Sequence, residues 1–261
     1  MNYLPLALLI VLTPAMAENA DDAGNDTPLT INGCVIAEAS QCPGADLRGA
    51  NLANQDLRKM NLAGADLRDA DLRHARLDLA NLEKANLQGA NLTRASLQQS
   101  NLRLADLSQS RLVAIQGWGL FAQGAQFAKA DLSAAYLQFA RLSGAKMQQA
   151  NLRAADLEMA WLSKADLQGA DLGDANLQEA KFGQSNLARA DLRGARQHYG
   201  NFQEANMEGA RGAPRPGTIE QSVLGHIVPL WERVHPRTPA KPVPYTESPH
   251  SRVNPLPQSH C

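Results

Sequence analysis

Cysteine, histidine and the carboxylates are the residues of this 261-residue chain with the most chemistry to offer. Cys34 and Cys42 stand near the start, close enough in sequence to join in an oxidising compartment. Chain entropy assigns such a nine-residue ring ~2.6 kcal/mol of stabilisation. Cys261, the last residue, has no evident partner and could cross-link to another chain. Three thiols are too few for a four-thiolate zinc site or a disulfide-dense scaffold. The histidines (His74, His198, His226, His235, His250, His260) are scattered, with no pair at metal-ligand spacing. No glycine-rich phosphate loop, nucleophile elbow or Cys/His dyad is present. Carboxylates such as Asp66, Asp156 and Asp166 recur at one fixed position of a repeat, so no pair stands apart as acid and base. The sequence therefore names no catalytic, cofactor-binding or metal-binding residue, and reads as a protein that is not an enzyme and takes no cofactor.

What positions these side chains is a repeat of five residues. Leu47, Leu52, Leu57, Leu62, Leu67 and Leu72 begin a series, here called position i, that stays leucine at every step to Leu112. It resumes from Phe127 to Met207, where Phe127, Met147, Phe182, Phe202 and Met207 replace leucine and only Gln197 is polar. Alanine dominates i−2, and Asp or Asn dominates i−1. On an α-helix five residues turn ~500°, so the leucines would drift round the axis and form no face. On a continuous strand an odd period would send successive leucines to opposite faces. All of them can be buried only if the chain turns once per repeat, with i−2 and i inward and i−1, i+1 and i+2 outward or at the corner. Asp and Asn suit such corners through local hydrogen bonds and tolerance of unusual φ, and glycine at i+2 (Gly49, Gly64, Gly144) meets the same need. A narrow solenoid with a one-dimensional core follows.

The pattern A-[DN]-L-x-x, as in Ala65-Asp66-Leu67, Ala90-Asn91-Leu92 and Ala165-Asp166-Leu167, resembles the pentapeptide-repeat family. The resemblance implies an all-β fold: a right-handed quadrilateral β-helix with one repeat per side and twenty residues per coil. Residues 43–212 would then make about eight coils. Folded at twenty residues, one column reads Leu52, Leu72, Leu92 and onward to Leu192, and another brings Phe182 and Phe202 together. Residues 113–126 (VAIQGWGLFAQGAQ) are degenerate, with Gly117 and Ala122 in leucine positions. They read as two decayed sides with Trp118 or Leu120 filling the void, or as a bulge or functional loop.

The ends differ from the rod. Leu4–Leu12 is an apolar run followed by Ala15-Met16-Ala17, which predicts a signal peptide over 1–17 cleaved before Glu18. Nine apolar residues are too few to span a bilayer, so the mature chain is expected in the periplasm or secreted, with no stable membrane insertion. Residues 18–42 form a linker and cap, in which 31–36 reads as a short strand. At the other end Thr218 and Gln221 have capping-box spacing ahead of an apolar helical face, which predicts a helix over 213–234. It reads as a lid on the last coil. Since gyrase-protecting relatives pair through their C-terminal ends, a homodimerisation helix is the alternative. The proline-rich segment 235–261 reads as an extended tail.

Charge narrows the function. Lys+Arg 25 against Asp+Glu 26 leaves a net charge of −1, which argues against both a basic nucleic-acid-binding surface and an acidic DNA mimic. The expected function is an exported scaffold whose rod surface binds a protein or an envelope component. A gyrase-protecting DNA mimic, the best-understood activity of the family, and an envelope-acting hydrolase are the alternatives. The mimic needs a cytoplasmic, strongly acidic rod, and this sequence departs from both requirements. On the surface, positions twenty apart place Phe139 beside Met159 and Arg141 beside Trp161. These four form a candidate interaction ridge, which Phe121 joins if the degenerate segment keeps register.

Overall fold

The computed structural model describes residues 28–213. The expected signal peptide, residues 18–27, the tail, Cys261 and all but the first residue of the C-terminal helix lie outside the described residues, and with them the helix's reading as a lid on the last coil and the alternative of a dimer.

The first element is a hairpin. Strand β1 (Thr30–Ile31) pairs antiparallel with β2 (Cys34–Val35). The single strand expected over 31–36 is corrected: Asn32 (φ 49) and Gly33 (φ 81) both take positive φ, which reverses the chain in a two-residue turn. Cys34 and Cys42 form the expected disulfide, their Cα atoms 5.5 Å apart. Cys42 is buried at a leucine position of the repeat, so the bridge ties the hairpin to the start of the core. Asn32 Nδ2 donates to the carbonyl of Asp46 at 2.8 Å, covering part of the open edge of the first coil.

From Gln41 to Asp191 every fifth residue forms a parallel bridge to the residue twenty further on. Four repeats, each ending in a turn, therefore close one coil. The pairing begins slightly before the expected boundary at Pro43. Three bonds per repeat make the ladder, as in Leu47 N–H to Asp66 O (2.8 Å), Gly49 N–H to Arg68 O (2.8 Å) and Asp66 N–H to Ala45 O (2.9 Å). A fourth bond closes each turn, as in Ala50 N–H to Leu47 O (3.1 Å). The turn places its third residue, i+2, at positive φ, the pattern of a type II turn. From Ala39 to Gly209 every i+2 residue does so, Leu79, Phe139 and Met159 included.

That observation corrects one expectation. The positive φ falls at i+2, not on the Asp and Asn of i−1. Those residues act through their side chains: Asp46 Oδ1 accepts the Arg48 N–H (3.3 Å), Asn51 Oδ1 that of Ala53 (3.2 Å) and Asp171 Oδ1 that of Gly173 (2.8 Å). Each is an Asx cap on a turn N–H that the ladder does not use.

The leucines at i are buried along the whole series and the alanines at i−2 from Ala65 to Ala190, while Ala45, Ala50, Ala195, Ala205 and Ala210 at the two ends are partly buried. Phe182 and Phe202 stack at 4.8 Å with planes 4° apart, as the column arithmetic requires. The degenerate segment is two regular sides: Gln116 bridges Ser96 and Tyr136, and Phe121 bridges Asn101 and Arg141. No bulge or loop interrupts them. Volume moves from i to i−2, where Ile115 and Leu120 are buried in the alanine positions and offset Gly117 and Ala122. Trp118 fills nothing and is 45% exposed.

Aspartate at i−1 pairs with arginine at i+1 in Asp46–Arg48, Asp66–Arg68, Asp71–Arg73 and Asp191–Arg193. The arginine side-chain hydrogen bond, then its backbone N–H, hold Asp46 and Asp191 down at about 2. Asp56, Asp66 and Asp71 are lowered mainly by the same arginine side-chain bonds.

Two outcomes follow. A Cβ on Gly117 would meet Leu137 Cδ2 at 2.9 Å. Gly117→Leu should therefore destabilise by ~1–3 kcal/mol through overpacking, and adding Ile115→Ala should recover most of it, in urea denaturation. The lowered carboxylates favour the folded state while ionised. Their contribution is present above the ordinary aspartate pKa of about 4 and lost as pH falls to about 2. The thermal midpoint should fall across that window, and less steeply in Asp46→Asn/Asp191→Asn, whose amide oxygens can still cap the turn.

Candidate interaction surface

One side of the coils carries a change of chemistry. Its i−1 column begins with Gln41, Asn61, Asn81 and Asn101, which hydrogen-bond in a chain at 3.1, 3.3 and 3.0 Å. The next members are Phe121, Arg141, Trp161 and Lys181, before Asn201 restores asparagine. Because successive coils stack at ~4.8 Å, side chains in one column must lie against each other. Here cations alternate with rings. The Arg141 guanidinium carbon lies 5.0 Å from the Phe121 ring centre and 5.9 Å from that of Trp161. Lys181 Nζ lies 4.3 Å from the other neighbour of this series, the Trp161 ring. Arg103, from a corner, reaches Phe121 at 5.7 Å.

The corner leading into this side holds Leu79, Phe139, Met159 and Tyr199, all at i+2, twenty or a multiple of twenty apart. The Phe139 N–H bonds the Glu158 carbonyl at 3.0 Å, which sets Phe139 beside the Glu158–Met159 corner. Trp118 packs on Phe139 with ring centres 5.8 Å apart. Phe139 and Trp161 are each 47% exposed and Tyr136, on the adjoining side, 46%. Leu104 lies at the corner leaving the side. Within the coils, every large exposed apolar residue thus falls on this side, at its two corners or at Tyr136.

The structure brings together all four predicted ridge residues, Phe139, Arg141, Met159 and Trp161, and Phe121 joins them because the register is kept. Sequence reasoning missed Lys181, although counting twenty from Trp161 would have found it. It also missed Arg103 and the Trp118–Phe139 pair. These contacts are diagonal between a corner and a neighbouring coil, so no column arithmetic predicts them. Among the described residues Arg103, Arg141 and Lys181 form no ion pair, whereas arginines of other sides pair with aspartate. A guanidinium stacked between two rings keeps its N–H edge free for an anion. The disulfide pair lies apart, in the N-terminal cap.

No curated protein sequence matches the chain. Among solved structures it is similar to HetL, a pentapeptide repeat protein involved in heterocyst differentiation regulation from the cyanobacterium Nostoc sp. strain PCC 7120. Identity is 30% over 66% of this chain and 87% of HetL, with a TM-score of 0.25. It is also similar to QnrB1, a plasmid-mediated fluoroquinolone resistance protein, at 16% identity over 73% of this chain and 96% of that one, TM-score 0.49. A thylakoid-lumen pentapeptide repeat protein of Arabidopsis thaliana shares 25% identity over 43% of this chain and 69% of its own, TM-score 0.14. The family model for pentapeptide repeats matches eight copies over residues 45–83, 75–112, 123–169 and 170–209. With that match over most of the coils and a main chain that pairs every twenty residues, the chain belongs to the pentapeptide-repeat family, whose fold is a right-handed quadrilateral β-helix.

Proposed function

We propose that the protein is a non-enzymatic, exported scaffold whose rod surface binds a protein or an envelope component through the ridge of Phe121, Phe139, Arg141, Met159 and Trp161. The observation that carries this reading is the clustering of exposed rings on one side of an otherwise polar rod and at its corners, with Tyr136 on the adjoining side. Exposed apolar clusters rimmed by polar residues mark contact sites, and Trp and Arg supply most of the binding energy at such sites. Here the Phe121 and Trp161 rings are each held by neighbours on both adjacent coils, so little of their side-chain entropy remains to be lost on binding. Export is supported by the small-x-small motif ahead of Glu18 and by the Cys34–Cys42 bridge, which suits an oxidising compartment.

Protein purified from the exported fraction should have a mass that begins at Glu18. Thiol labelling after denaturation without reductant should modify Cys261 alone, and labelling of all three cysteines would refute the proposed compartment. The ridge is tested by Phe139→Ser/Trp161→Ser. Both positions are exposed, so the thermal midpoint should hardly move, while the set of molecules co-purified from the exported fraction is depleted relative to wild type. An unchanged set would leave the ridge without a binding role.

A further inference from the structure

Exchanging asparagine for Phe121, Arg141, Trp161 and Lys181 does more than add rings and charge. It removes the turn caps. On the same side the N–H groups of Ala63, Glu83 and Arg103 each donate at 3.2 Å to Asn61, Asn81 and Asn101, and Gln203 donates at 2.9 Å to Asn201. The equivalent N–H groups of Gln123, Ser143, Ser163 and Gly183 have no acceptor among the described residues, because no Oδ1 stands at i−1. They lie on consecutive coils, ~4.8 Å apart. Elsewhere in the coils, runs of uncapped turn N–H groups stop at two. The hydroxyls of Ser143 and Ser163 are also without a partner among the described residues, and Arg141 and Lys181 lie in the adjacent column. A cleft of about 230 Å³ is lined by Ser163 and Gly183, which carry the last two of these amides, with Gln184, Gln203 and Glu204. Glu204 accepts from Gln184 Nε2 and closes the strip with a negative charge.

A row of backbone amides beside unpaired cations is an anion site. The order ring, cation, ring, cation repeats every two coils, ~9.6 Å. An extended peptide presents same-side carboxylates every ~6.7 Å and falls out of step. A polyproline-type acidic peptide, at ~9.3 Å per turn, keeps step, but its own N–H groups would face a strip that offers donors almost exclusively. A linear chain of sugar rings supplies oxygen acceptors at every ring and an apolar C–H face for Trp161. When alternate rings face the same way, it supplies one carboxylate per disaccharide. We propose that this strip binds a linear acidic polysaccharide with one carboxylate facing the rod per two coils, held by Arg141 and Lys181 and by the free amides of residues 123, 143, 163 and 183. The assignment rests on the scaffold reading above, and names the envelope component as this polymer.

The test titrates the full mature chain with an oligogalacturonate of about eight rings, followed by calorimetry at two salt concentrations. Phe121→Asn/Trp161→Asn restores the amide-oxygen caps with the residue this column already uses, and leaves the charge unchanged. Phe121→Leu/Trp161→Leu removes the same rings and leaves the amides free. Arg141→Gln/Lys181→Gln removes the charges without capping, since Gln116 and Gln126 do not cap Trp118 and Ala128. Wild type should bind, more weakly at high salt. The asparagine pair should lose about tenfold, the leucine pair clearly less, and the glutamine pair at least as much as the asparagine pair. Unchanged thermal midpoints show that each variant is folded. Absence of wild-type binding, equal losses in the asparagine and leucine pairs, or equally tight binding of a neutral oligosaccharide or an acidic proline-rich peptide would overturn the inference. If wild type ignores the polymer while Phe139→Ser/Trp161→Ser still depletes the co-purified molecules, this inference falls and the scaffold reading stands.

Discussion

Every feature of this protein hangs on the main-chain ladder between residues twenty apart. Each repeat gives three hydrogen bonds to the adjacent coils and one to its own turn, so only the i+1 N–H is left for a side chain to satisfy. The ladder is also what holds lysine, leucine, phenylalanine and methionine at positive φ, where each L-residue costs on the order of 1 kcal/mol. No single repeat could sustain that. A stack of coils can, because pairing on both sides fixes every turn at once.

With the corners held by the backbone, only the inward positions are demanding, and even there the requirement is on volume. Ile115 with Gly117 and Leu120 with Ala122 divide the same space differently from Ala and Leu, and the coils run through them unbroken. Gly200 beside Phe202 is a similar exchange, since a Cβ there would meet the Phe202 ring at 2.9 Å. This tolerance matches the behaviour of close-packed cores that accept swaps conserving total volume.

The outward positions are free to vary, and one side has used that freedom. Asparagine at i−1 caps a turn amide and bonds its counterpart above and below. Phe121, Arg141, Trp161 and Lys181 give up both, in exchange for stacked ring–cation contacts. Losing four caps costs stability, and the loss is modest because the freed amides face water at half-buried corners. The result is a polar rod with one side unlike the others, which is where recognition is best sought.

Periodicity by itself determined the inward Leu and Ala and the turn in every repeat, and short separation in sequence the nearness of Cys34 and Cys42, because these depend on a few neighbouring residues. A period of five does not say how many sides make a coil; that number came from family resemblance and is decided physically by which backbone groups pair. The side of the rod on which Phe139, Arg141 and Trp161 meet depends on that count. So does the discovery that Trp118 points out rather than in, since only the packed volume of Ile115 and Leu120 shows that no space remains for it. The contacts of Arg103 with Phe121 and of Trp118 with Phe139 run diagonally between coils. They arise from side-chain direction across neighbouring coils, which no one-dimensional pattern contains. The four uncapped amides are of the same kind: each is a lost local bond legible in the sequence, and only the coil stacks them into one strip.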